Sequence, residues 1–165
     1  MTDKHKEEAV MKKIMLILVA AMTLGVVFSC NRYDDGRPSK DVRSEFNKMY
    51  PDAFDIDWEW NGTYWEVSFE TGKRPDGVEH EAWYDKSGNW IQTSTDMALS
   101  SVPQKIIAFL AADPNYGTAS YADNEAEYIE TPSGNFYRFT LSDGSRKFEV
   151  DVNINGEVKF VKYDF

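Results

Sequence analysis

Five dipeptides ending in glycine, Asn61-Gly62, Ser87-Gly88, Ser133-Gly134, Asp143-Gly144 and Asn155-Gly156, punctuate the chain from residue 61 onward. Each offers the backbone freedom that a tight β-hairpin needs, so the chain is expected to double back repeatedly. The segments between them alternate with period two, as half-buried strands do. Ile56, Trp58 and Trp60 share one side, with Asp55, Asp57 and Glu59 opposite; Trp65, Val67 and Phe69 oppose Tyr64, Glu66, Ser68 and Glu70. Further on, Tyr137, Phe139 and Leu141 share a side, as do Phe148, Val150, Val152 and Ile154. One apolar side and one polar side describe a sheet covered on a single face.

The pattern occurs twice. Val42, Phe46 and Met49 stand at helical spacing, and Val102, Ile106 and Phe109 repeat that spacing sixty residues later. Ser39 and Ser100 or Ser101 occupy expected N-cap positions, Pro103 suits a first turn, and Pro51 and Pro114 mark the helix ends. The run from Gly62 to Phe69 aligns with Gly134 to Leu141, and Ala82 to Trp90 aligns with Val150 to Val158. Each unit therefore reads as a helix followed by four strands, at about 39–95 and 99–165, with Thr93 to Leu99 as the link. The expected fold is one α+β domain over residues 39–165, a largely antiparallel sheet of about eight strands with the helices on one face.

Residues 1–29 read as a signal peptide. Met1 to Val10 is charged and precedes a second start, Met11-Lys12-Lys13, where translation is expected to begin. Ile14 to Val27 is uncharged, apolar and too short to span a bilayer comfortably. Val27-Phe28-Ser29-Cys30 resembles the lipobox of bacterial lipoproteins, with Phe28 bulkier than usual. That resemblance implies cleavage before Cys30 and lipidation of its thiol. Cys30 is the chain's single cysteine, so it has no disulfide partner within the chain. Residues 30–38 would then be the lipidated cysteine and a polar tether. Asp34 and Asp35 resemble the surface-export signal of Bacteroidetes lipoproteins. The expected location is the outer membrane, facing the periplasm or the cell surface, with the lipid as the only membrane contact. The whole chain carries a net charge of −10, and losing four lysines and three acids with residues 1–29 leaves −11. Such a field disfavours nucleic acid and anionic lipid alike.

The leader, the cysteine, the paired helix-plus-four-strand units and the D-x-x-G hairpins together resemble the PepSY-like, β-lactamase-inhibitor-protein-like lipoproteins of Bacteroidetes. Asp85-Lys-Ser-Gly88 carries the hairpin feature, and Asp151-Val-Asn-Ile-Asn-Gly156 carries it with two extra residues. The resemblance spans roughly residues 38–165. It implies no enzyme activity, and a topology like that of inhibitors that clasp an enzyme with a sheet face.

Some aromatics fall outside the core pattern. Trp83 aligns with Asp151, on the polar side of its strand, and Tyr64 and its counterpart Phe136 also lie opposite the core set. With Asp57, Glu59, Glu66 and Glu81 they would form an aromatic-acidic face, unless the loop after Gly72 folds over it. Tyr64, Trp83, Phe136, Glu66 and Glu81 are thus the candidate partner-binding residues.

No residue pattern points to a metal, a cofactor or catalysis. Asp151-Val-Asn153-Ile-Asn155-Gly156 starts like an EF-hand, but Lys162 stands where the bidentate Glu belongs. His80, the one histidine after the leader, aligns with Phe148 and is expected on the inner face at the sheet's edge. A zinc site with one His and no Cys is improbable. No nucleophile–base motif and no Gly-rich phosphate loop are present. The expected function is a non-enzymatic envelope lipoprotein that binds or inhibits another protein. The alternatives are a glycan-binding accessory lipoprotein and a structural envelope protein.

Overall fold

The computed structural model describes residues 32–33 and 36–164; the leader, Cys30 and the Asp34-Asp35 pair lie outside the described residues. Helix α1 spans Lys40–Met49 and begins where Ser39 Oγ accepts the Val42 N–H at 3.3 Å. Asp41 in its first turn and Lys48 in its last complement the helix dipole. Val42 and Phe46, one turn apart, are its buried residues. Four strands follow: β2 (Phe54–Trp60), β3 (Trp65–Thr71), β4 (Val78–Tyr84) and β5 (Trp90–Ala98). A 3-10 turn over Leu99–Ser101 leads to α2 (Gln104–Ala112), and then come β6 (Ser120–Tyr121), β7 (Glu125–Glu130), β8 (Phe136–Ser142), β9 (Lys147–Asn153) and β10 (Val158–Asp164). The short β1 (Arg32–Tyr33) lies in the segment read as a tether and pairs with β2.

All the strands form one sheet in the order β1-β2-β3-β4-β5-β7-β8-β9-β10, with β6 beside β8. Every pairing is antiparallel except that of β1 with β2. All five hairpin glycines adopt positive φ. Both helices pack on the same side. Under α1 lie Ile56, Trp58, Val67, Phe69, Ala82 and Tyr84; under α2 lie Ala126, Phe139, Leu141, Phe148, Val150 and Val152.

Several expectations need correction. Neither Ser100 nor Ser101 caps α2: both sit in the 3-10 turn, and Pro103 holds the N-cap with no side-chain hydrogen bond. Leu110, not Phe109, is buried beside Ile106, because α2 starts later than the Val102 periodicity suggested. Thr93 to Leu99 is no link, since β5 runs to Ala98 and pairs with β7 through six residue pairs from Thr93↔Glu130 to Ala98↔Glu125. Thr93 and Ser94 are buried polar residues there, which is why the stretch looked like a connection. Ile154 is 59% exposed, because β9 ends at Asn153 and Ile154 belongs to the turn. His80 does face the α1 side, stacked on Phe69 at 5.0 Å, but β4 lies between β3 and β5 and not at an edge. The second half has five strands instead of four, β6 and β7 both lying along β8.

Candidate functional site

Directly opposed residues on neighbouring strands share a face, so the registers map the side that carries no helix. One row crosses seven strands: Asp57, Ser68, Glu81, Ser94, Ile129, Phe136 and Asn153. A second row is Glu59, Glu66, Trp83 and Gln92. A third runs Asp96, Glu127, Arg138, Asp151 and Lys159. Trp83, Glu66, Glu81 and Phe136 therefore lie on one surface. Trp83 Nε1 donates to Glu66 Oε2 at 3.0 Å, which fixes the indole against the sheet. The Arg138 guanidinium stands over Phe136, 5.8 Å from its ring centre. Tyr64 is half-buried just before β3, beyond the end of the row. The loop after Gly72 folds back onto the far end of β2 and β3: Arg74 lies over the Phe54 ring at 4.4 Å, and Gly77 abuts Phe54 and Glu70.

Ile129 is the residue the sequence reading missed. It is fully buried, opposite Ser94 and Phe136, yet belongs to neither helix-covered cluster. Its burial gives the helix-free side a small apolar centre of its own. The signal was present in Glu125-Ala-Glu-Tyr-Ile-Glu130, where Ile129 alternates in phase with Glu125 and Glu127.

Charge divides the face. Among the described residues, its ion pairs belong to the second half. Arg138 bonds Asp151 in bidentate fashion at 2.8 and 3.1 Å, Lys162 meets Glu149 at 3.2 Å, and Lys159 meets Glu157 at 3.2 Å. Burial works against the Arg138 charge, but the hydrogen bond and the charge of Asp151 outweigh it and hold the guanidinium protonated. The first half carries carboxylates with no such neutralisation. Asp55, Glu70, Glu79, Glu81 and Asp96, with Ser68, line a depression of about 300 Å³. A bulge between Phe54 and Asp57, with Asp55 at φ 49°, turns Asp55 there. Loss of hydration raises the pKa of Glu81, and the charges of Glu66, Asp96, Glu127 and Glu79 raise it further. Burial followed by Glu79 raises Asp96. Burial also raises Glu127, although Ser94 Oγ donates to it at 2.9 Å.

His80, against the core, lies within hydrogen-bond distance of Thr71 Oγ1 and Thr95 Oγ1, at 2.7 and 2.8 Å. Burial lowers its pKa. Among the described residues, no group of three or more His, Cys, Asp or Glu is arranged to hold a metal ion. No described helix is long and apolar enough to cross a membrane. A second groove, of about 630 Å³, runs past Asn135, Phe136 and Asn153. Two of its amides are engaged internally: Asn135 Nδ2 donates to Tyr128 Oη at 2.6 Å and Asn153 Nδ2 to Glu157 Oε2 at 3.0 Å.

A single mixed sheet, helices on one side and an open face on the other, is a topology with known relatives. Residues 63–162 match the sequence profile of the beta-lactamase-inhibitor-like, PepSY-like family. The chain belongs to that family. Among solved structures, a BLIP-like protein from Bacteroides fragilis superposes with a TM-score of 0.65 at 24% identity, over 79% of this chain and 91% of its own. A candidate periplasmic protein from Bacteroides eggerthii gives 0.63 at 20% identity, over 77% of this chain and 90% of its own. At these identities the structural likeness speaks for the fold. No curated protein matches the sequence. The PepSY-like fold is thus common ground, and the charge division of its open face is a property read from this chain's own residues.

Proposed function

We propose that the protein is a non-enzymatic protein-binding module of the bacterial envelope, lipid-anchored at Cys30 after removal of residues 1–29, that covers its partner with the helix-free face. Two helix-plus-strands units joined edge to edge through β5 and β7 would make this face broad enough for a protein. The observation that carries the reading is the helix-free face, where half-buried Phe136 and Trp83 share one surface with Glu81 and Glu66 over the buried Ile129. An apolar centre, an anchored tryptophan and a polar surround are the usual anatomy of a protein interface. The family's kinship with inhibitor-like proteins supports binding over catalysis. The neighbour described as a candidate periplasmic protein supports an envelope location.

The test is a photo-crosslinking residue placed at Gln92, beside Trp83, or at exposed Asn47 on α1, in cells that make the protein. We expect a discrete protein adduct from position 92, lost in the Trp83→Ala background, and none from position 47. Equal adducts from both positions, or none from either, would reject the face.

A further inference from the structure

We infer that the β3–β5 half of the open face receives a cationic polypeptide segment, with a lysine or arginine side chain of the partner entering the depression between Glu81, Glu79 and Asp96. The inference rests on the docking reading above and adds the chemistry of the occupant.

Charge complementarity carries it. The same face treats its acids in two ways within one sheet. In the second half Arg138, Lys159 and Lys162 neutralise Asp151, Glu157 and Glu149. In the first half Glu70, Glu79, Glu81 and Asp96, from three adjacent strands, line a depression wide enough for a side-chain head group and make no ion pair among the described residues; the nearest cations by position are Arg32, in register with Asp57 at the sheet's edge, and Arg74, over the Phe54 ring. One of the acids there, Glu70, carries a buried oxygen, Oε2, without a hydrogen-bond partner; Asp57 Oδ1 on β2 and Glu149 Oε2 in the second half are in the same state. Buried acceptors normally find donors, and an unpaired one destabilises the fold. Burial first, and neighbouring carboxylates second, raise the pKa of Glu81 and Asp96, so the free protein holds these charges against lost hydration and mutual repulsion. A cation arriving with a partner relieves that repulsion and supplies the missing donors.

The geometry favours a side chain over a metal ion. Glu79 and Glu81 stand two residues apart on β4 and Asp96 on neighbouring β5, and no three acids among the described residues are arranged to hold a metal ion. An ammonium or guanidinium on a long stem offers three to five donors in several directions and suits dispersed acceptors. Next to the depression, half-buried Phe136 and Trp83 offer apolar contact for the rest of the segment. The negative net charge disfavours a nucleic acid or an anionic membrane as the occupant.

The test uses the full-length chain and a labelled extended peptide alternating lysine with valine, beside versions with glutamine or glutamate in place of lysine. Anisotropy should show binding of the lysine peptide, weakened by salt, and affinity lower by about tenfold for the glutamine peptide. The double substitution Glu81→Gln with Asp96→Asn should cost the lysine peptide about tenfold as well. Glu45→Gln with Asp52→Asn, the same charge change on the helix side, should cost less than about twofold. Circular dichroism checks that both variants keep the fold.

Equal binding of the three peptides, no binding of the lysine peptide, or equal losses from the two double variants would overturn the inference. If these fail while the adduct from position 92 persists, the face binds protein by other chemistry. If the adduct is absent too, the docking reading itself falls.

Discussion

Glu81 is the residue at which fold and function pull in opposite directions. Its folded-state pKa lies above the ordinary value of 4.5, so the fold disfavours its ionised form. Below 4.5 the carboxyl is neutral in both folded and unfolded chains and imposes no penalty. As pH rises through 4.5 and then through the raised folded value, the penalty grows to its full size. Glu81→Gln should therefore stabilise the protein at pH 7, and solvent screening of this exposed side chain limits the gain to about 0.5 kcal/mol. Urea midpoints at pH 7 and pH 4 test this: the gain should be present at the first and absent at the second. A loss at pH 7, or an equal gain at both, would show that Glu81 is an ordinary solvated acid. Residues of this kind were partly legible. Trp83 was placed on the open face by its alignment with Asp151, and Phe136 by period-two alternation as the counterpart of Tyr64. The crowding around Glu81 was not readable, because Asp96 and Glu127 approach it only through the β5–β7 pairing, which no local pattern specifies.

At the scale of elements, the hairpin turns were the most legible feature, yet their glycines are not equivalent. Gly62 and Gly88 both have φ of +91°. A Cβ at Gly62 would meet open space, whereas at Gly88 it would stand 3.0 Å from the backbone of Asp41 at the start of α1. The β4–β5 turn thus docks against the helix that covers the first cluster. Gly62→Ala should cost about 1–2 kcal/mol, the left-handed backbone penalty alone. Gly88→Ala should cost more, because rigid backbone must also give way. Thermal or urea unfolding of the two variants compares them directly, and equal losses would show that the turn and helix separate at no cost. The β5 strand was illegible for a related reason. Thr93 and Ser94 look like link residues until Tyr50, Trp90 and Glu127 are seen to satisfy their hydroxyls in the interior. The start of α2 was misread because serines that resemble caps were absorbed by a 3-10 turn.

For the whole molecule, the open question is whether two cores under one sheet behave as one cooperative unit. The clusters beneath α1 and α2 share no buried residue, which favours independence. Against this, β5 and β7 pair over six residues at the centre of the sheet, and Ile129 is buried at that seam. Separating the halves would expose those backbone groups and the apolar centre of the face together, which favours a single transition. The chain carries its own reporter, since all five tryptophans (58, 60, 65, 83 and 90) lie in the first half. Phe139 is fully buried in the second cluster, so Phe139→Ala should destabilise by about 3–5 kcal/mol. Under coupling, tryptophan fluorescence and far-ultraviolet circular dichroism should shift together and keep a common midpoint in denaturant. A fluorescence midpoint left at the wild-type value would mean that the seam does not transmit stability. The face would then be two half-surfaces free to move apart, and a partner that bridges Glu81 and Phe136 would have to order them on binding.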